Sequence, residues 1–115
     1  MKTMEIAALA TSVLPQHHEV YAREIWGPAS GGRMMTVLHN EMRAAGGAEM
    51  HAHSESEHVF VVLAGELCVT NGKESCTVHA GEALVIEPGE PHQVTGNGRV
   101  DCTYLAITCP PATFA

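Results

Sequence analysis

The chain has 115 residues, of which 45% are hydrophobic and 17% charged, and its formal net charge is −7. One domain with one core is the expectation for that length, and this balance of apolar and charged residues excludes a disordered chain. Only six lysines and arginines are present, scattered without a basic stripe, which argues against nucleic acid and anionic membranes as partners.

In chain order, Glu5–Leu14 comes first. It carries a moderate apolar pattern ended by Pro15, and it reads either as a helix or as an extended arm. Ala8-Leu9-Ala10 matches a signal-peptidase site. The apolar stretch before it is short and Glu5 interrupts it, so no signal peptide is expected and the cytoplasm is the expected compartment. From Gly27-Pro28 onward, Gly and Pro punctuate short runs. Met34–Leu38, Val59–Leu63, Glu66–Thr70, Ser75–Val78, Ala83–Ile86, Gln93–Thr95 and Val100–Thr108 are rich in Val, Ile, Leu, Thr and Tyr. Such punctuated runs predict an antiparallel sandwich or barrel. Asn71-Gly72 predicts a hairpin between its flanking runs, since both residues tolerate positive φ. The longest apolar runs, Val59–Ala64 and Ala83–Ile86, fall far short of a membrane span. Cys68, Cys76, Cys102 and Cys109 form no C-x-x-C pair. In a reducing compartment they are expected as free thiols, with a Cys68–Cys76 disulfide left open.

Chemistry concentrates in two segments. Residues 51–58 read His-Ala-His-Ser-Glu-Ser-Glu-His, and residues 87–92 read Glu-Pro-Gly-Glu-Pro-His. Neutral imidazole is the commonest protein metal ligand. His51 and His53 are two apart, so on an extended chain they leave the same face and offer two ligands to one ion. A metal site is the reading these segments support. His17, His18 and His79 read as surface or satisfied polar residues, and His39 has a lesser claim to an interior position.

The two segments resemble the two signature motifs of the cupin superfamily. The first runs Gly46-Gly47-Ala48-Glu49-Met50-His51-Ala52-His53, then Ser54–Glu57, His58, six residues and Gly65; the second runs Gly81, five residues and Glu87–His92. The resemblance covers roughly residues 33–108. It implies an all-β fold, a small double-stranded β-helix (jelly-roll) barrel with an N-terminal arm. A single domain over residues 1–115 is expected, with the arm and first strands in 1–32 and the barrel core in 33–108. The family's first motif carries a glutamate ligand six residues before its glycine, and here that position is His58, with Glu57 one step earlier. The resemblance therefore implies His51, His53, His58 and His92 as ligands, with Glu57 behind a one-residue bulge as the alternative third ligand. Ala45 stands where the first motif has a glycine, and Gly46-Gly47 are expected to make the same turn.

Small cupins with a four-histidine manganese or iron centre are among those this chain is similar to. The resemblance implies one divalent transition metal per chain (Fe, Mn, Cu, Ni or Zn), a small-molecule substrate and a homodimer. Four neutral ligands leave the ion's charge uncancelled, which favours a chelating enol, hydroxy-ketone or carboxylate. A non-haem dioxygenase is the leading expectation, a metal-dependent isomerase, lyase or dehydratase the second, and a non-catalytic binding protein the third. Catalytic candidates are Glu57 and Tyr104, whose hydroxyl is expected inward; Glu49, Glu55 and Glu90 are further carboxylates that could orient an imidazole. Phe60 and Val62 alternate with His58 and are expected to line the pocket. Trp26, beside a Gly-Pro turn, is expected at the pocket mouth, at a dimer interface or over the core.

Overall fold

The computed structural model describes residues 1–111; the last four residues of the expected 1–115 domain lie outside the described residues. The strands are β1 His17–Trp26, β2 Thr36–Ala48, β3 Glu57–Ala64, β4 Glu66–Thr70, β5 Ser75–His79, β6 Ala83–Ile86, β7 Gln93–Thr95 and β8 Cys102–Cys109. They pair antiparallel in the order β5-β4-β7-β2-β8-β3-β6, with β1 on the other edge of β2. The end strands β5 and β6 are joined by a tight turn that bonds to Val62 on β3, so the path rolls into a nearly closed barrel. This is the expected all-β jelly roll.

Strict alternation builds its interior. Along β8, Cys102, Tyr104, Ala106 and Thr108 are buried while the residues between them are not. Leu38, Asn40 and Met42 do the same on β2, and His58, Phe60 and Val62 on β3. Adjacent strands hold these residues in register. Thr36, Thr108, His58 and Ile86 form one row across the sheet; Leu38, Ala106, Phe60 and Leu84 form the next; Asn40, Tyr104 and Val62 form a third.

Several expectations change. Glu5–Leu14 is the extended arm and not the helix: it holds one 3-10 turn at Ile6–Ala8, and Ser12 pairs with Ala22 on the free edge of β1. Arg23 on β1 donates to the Leu9 carbonyl at 3.2 Å and ties the arm down. Pro15 biases Leu14 away from helix, and Leu14 alone on the arm packs against the core. β1 had no apolar signal, because only Val20 and Ala22 of its ten residues are buried. Gln16 and Glu19 adopt positive φ, and the register slips between His18 and Val20, so a bulge further scrambles the alternation.

Gly46-Gly47 does not make a turn. Both lie buried inside β2, where the strand leaves β8 after Met42 and meets β7 at Gly47. A Cβ on Gly46 would stand 2.7 Å from the Glu19 carbonyl oxygen, and one on Gly47 2.9 Å from that of Val94. Close backbone approach from both sides is what requires glycine there. The expected hairpin joins β4 to β5, but through Asn71–Glu74: Asn71 Oδ1 accepts from the Lys73 and Glu74 amides, and Gly72 takes the positive φ. All four cysteines are free; Cys68 faces Thr77 and Cys76 faces Val69, one pair out of step.

Candidate metal centre

Backbone bonds stitch the two histidine segments together. His51 and His92 form an isolated antiparallel bridge, and the Gly89 amide donates to the His53 carbonyl at 2.8 Å. Segments far apart in the chain thus present their imidazoles to one point. Ring centroids of His51 and His92 lie 4.5 Å apart, His51 and His53 4.9 Å, and His53 and His92 5.4 Å. One ligand nitrogen from each of these three lies within 4.8 Å of the others. His58 joins from β3, its ring 5.3 Å from His92 and 5.5 Å from His53.

Backbone carbonyls set two of the ring orientations. His51 Nδ1 donates to the Glu49 carbonyl at 2.7 Å, and His92 Nδ1 donates to the Glu90 carbonyl at 3.0 Å. A carbonyl can only accept, so Nδ1 carries the proton and Nε2 is left as a lone-pair donor. Glu49 and Glu90 therefore orient imidazoles through their main-chain carbonyls. Both ring nitrogens of His58, and Nε2 of His92, are buried with no hydrogen-bond partner. Buried polar atoms of this kind are costly unless something satisfies them, and a cation would satisfy the lone-pair nitrogen of each ring.

Electrostatics agree with that donor set. Burial, reinforced by the neighbouring imidazoles His92 and His53, pushes the His58 ring down to about 3. Burial and the nearby His51 and His92 lower His53 to about 4. His92 is lowered mainly by burial, partly offset by its bond to Glu90. All three are neutral near pH 7, the form that binds a metal.

The imidazoles open into a narrow cavity of about 30 Å³. Its wall is otherwise apolar or uncharged: Leu38, Phe60, Val94 and Ala106, with Thr36, Thr108, Asn40 and Tyr104. Among the described residues the lining includes no Asp, Glu, Lys or Arg. His17 and Leu14 complete the mouth.

A model of the cupin domain matches residues 39–108. This chain belongs to the cupin family. Among solved structures, the cupin is similar to the polyketide cyclase RemF from Streptomyces resistomycificus, with a TM-score of 0.84 and 23% identity over 100% of this chain and 87% of that one. It is also similar to a predicted oxalate decarboxylase of Thermotoga maritima (TM-score 0.84, 15% identity, 95% and 99% covered) and to the protein TT1209 from Thermus thermophilus (0.78, 22%, 96% and 99%). At these identities the likeness speaks for the fold. An uncharacterised protein of Methanocaldococcus jannaschii is 31% identical over 62 residues, 54% of this chain and 50% of that protein, so the cupin spans half the length of the curated relative it matches. No helix among the described residues is long and apolar enough to cross a membrane.

The expected site residues of this cupin fall in two groups. His51, His53, His58, Phe60 and Tyr104 line the cavity, and the buried His92 stands beside them with its ring 5.3 Å from that of His58. Glu57, Val62 and Trp26 do neither. Glu57 is exposed on the outer side of β3, because strand parity sends it opposite to His58, which corrects its place among the catalytic candidates. Val62 is fully buried as the cross-strand partner of Tyr104 and belongs to the core. Trp26 lies in a separate surface depression with Met1, Met4 and Ile25, under the Lys2 ammonium at 4.9 Å. His39 sits between the buried Leu38 and Asn40, on the opposite face of β2. Sequence reading missed two contributors. His17, set aside as a surface residue, lies at the mouth with its ring 6.2 Å from that of His51, and burial lowers its pKa. Nothing local signals this, since His17 is brought beside the site by the pairing of β1 with the end of β2 at Ala48. Asn40 was legible in principle from the spacing Leu38, Asn40, Met42, had a polar residue been allowed inside a strand.

Proposed function

We propose that this cupin is a metal-dependent enzyme acting on a small chelating metabolite that bears an enol, hydroxy-ketone or carboxylate. His51, His53, His58 and His92 would hold one divalent transition metal per chain. The observation that carries this reading is the set of unpartnered, buried nitrogens on His58 and His92, converging with His51 and His53 at the head of an apolar cavity. When bound there, a divalent ion supplies Lewis acidity and, if iron, manganese or copper, electron exchange, with its charge uncancelled by any carboxylate. The protein's own part is to present Nε2 of His51 and His92 and to exclude water with Phe60, Leu38, Val94 and Ala106.

Oxygen-consuming turnover is the reaction class we place first. Among the described residues the lining holds no carboxylate, so the side-chain bases facing a chelated substrate are imidazoles, most of them committed to the ion. The second reading is a Lewis-acid isomerase, lyase or cyclase. His17 favours it: its neutral imidazole at the mouth would take a proton from the bound substrate. The likeness to a protein named a polyketide cyclase and another named a decarboxylase keeps both kinds of chemistry in view. We extend the proposal to a homodimer, for which the exposed Leu63 and Val85 on neighbouring strands supply an apolar face.

An oxygen electrode separates the readings. Protein loaded with iron(II) or with zinc(II) is given a panel of enediols, hydroxy-ketones and catechols. Oxygen uptake with iron alone supports the first reading. Product without oxygen uptake, abolished by His17→Ala, supports the second. Binding without turnover by either form overturns both and leaves a binding cupin.

A further inference from the structure

Below the imidazoles and one apolar row, the interior becomes polar again. Asn40 and Tyr104 are direct cross-strand partners on β2 and β8, 2% and 1% exposed, and both line the cavity. The Asn40 amide donates to the Tyr104 hydroxyl oxygen. That bond uses the hydroxyl as acceptor and leaves its own hydrogen available. Asn40 Oδ1 is buried with no hydrogen-bond partner. A leucine and a phenylalanine would fill the same space without leaving a buried acceptor unmet, so the pair is unexplained as packing. In the row between, Ala106 is flanked by Leu38 and Phe60, and all three line the same cavity as the two polar ends.

We propose that Asn40 and Tyr104 form a second recognition point in the cavity, which binds a hydroxyl at the end of the ligand remote from its chelating group. The inference rests on the metal-centre reading for that chelating end. A hydroxyl fits both partners at once, donating to Asn40 Oδ1 and accepting from the Tyr104 hydroxyl. A carbonyl uses only the tyrosine, and a methyl uses neither. Tyr104 is suited to donate, since burial raises its pKa and keeps the phenol protonated. Tyr104 pairs with Val62, four residues along β3 from His58, so the rows are separated by roughly 13 Å of strand. The rings of His58, Phe60 and Tyr104 follow one another at 4.2 and 5.8 Å, so the two polar ends stand closer than the strand spacing and a small ligand spans them.

Two probes differ by that one oxygen. Kojic acid is an enolic hydroxy-ketone with a hydroxymethyl arm, and allomaltol carries a methyl in its place. Titrated into cobalt(II)-loaded protein and followed by the metal's visible absorption, kojic acid is expected to bind about ten-fold tighter or more. Asn40→Leu and Tyr104→Phe should each bring the two affinities to within about two-fold while allomaltol binding holds. If Asn40→Leu does not fold, the near-isosteric Tyr104→Phe carries the comparison. Equal affinities in the native protein, or a preference that survives both variants, would overturn the proposal. A second readout needs no metal: the Asn40 side-chain amide resonance in metal-free protein at millimolar probe. Should the protein take up no cobalt, a shift caused by kojic acid and not by allomaltol sustains the recognition point while the metal reading fails. An amide that responds to neither probe overturns it.

Discussion

The main chains of His51 and His92 bond to each other twice: the His51 amide donates to the His92 carbonyl at 3.0 Å, and the His92 amide to the His51 carbonyl at 2.8 Å. This bridge joins two loops before any ion is involved. The imidazoles are therefore positioned by backbone pairing, and removing one of them need not dismantle the others.

That independence makes the ligand set testable by composition. His58→Ala is expected to drop metal content from about one ion per chain to a small fraction, since an uncompensated ligand position weakens binding beyond the 10- to 100-fold typical of supporting partners. Glu57→Ala, on the outer side of β3, should leave the content unchanged. Elemental analysis of untagged protein decides. The reverse pattern would replace His58 by Glu57 and refute the four-imidazole centre.

Acid should destabilise the metal-free protein over a defined window. His58 and His53 are held at about 3 and about 4 when folded, against an ordinary value of 6.5. Between those limits the unfolded chain binds more protons than the folded one, so stability is full above about pH 7 and falls as the pH drops through 6 toward 4. Calorimetric melting across that range is expected to show a declining transition temperature. A flat profile would mean that these rings are not buried neutral in solution.

Crowding at β2 predicts a cost for small additions. Gly47→Ala places a methyl 2.9 Å from the Val94 carbonyl oxygen. Overpacking of this kind costs about 1–3 kcal/mol, or a melting point lower by roughly 5 °C or more in a domain of this size. Gly81→Ala is the control for the method: nothing lies within 4 Å of its Cβ position, and its φ of 86° confines the cost to backbone strain. Equal thermal stability of Gly47→Ala and native protein would contradict the close approach of β2 and β7.

The outer face carries the assembly prediction. Val59 and Val85 are cross-strand partners there, and Leu63 and Val85 are 49% and 60% exposed. Light scattering of native protein is expected to give a dimer, and Val85→Lys a monomer with the same circular dichroism. A monomeric native chain at all concentrations would remove the homodimer from the proposal.

Local pattern alone located most of the barrel strands, though only the first part of β2, and the resemblance to the cupin motifs supplied the four-histidine set. Alternation marked β3 and β8, turn residues marked β4 through β7, and the family's motif spacing implied His51, His53, His58 and His92 as one set. Those signals work because burial on one face of a strand repeats every two residues and because turns need particular residues. Pairings between distant segments decided the rest. β1 is a strand because β2 offers it an edge, Gly46 and Gly47 are required by neighbours from β1 and β7, and His17 reaches the mouth through Ala48. Asn40 and Tyr104 become one polar pair only because β2 and β8 align them. No window of sequence contains such a relationship, since its two halves are joined by backbone hydrogen bonds that exist only after folding.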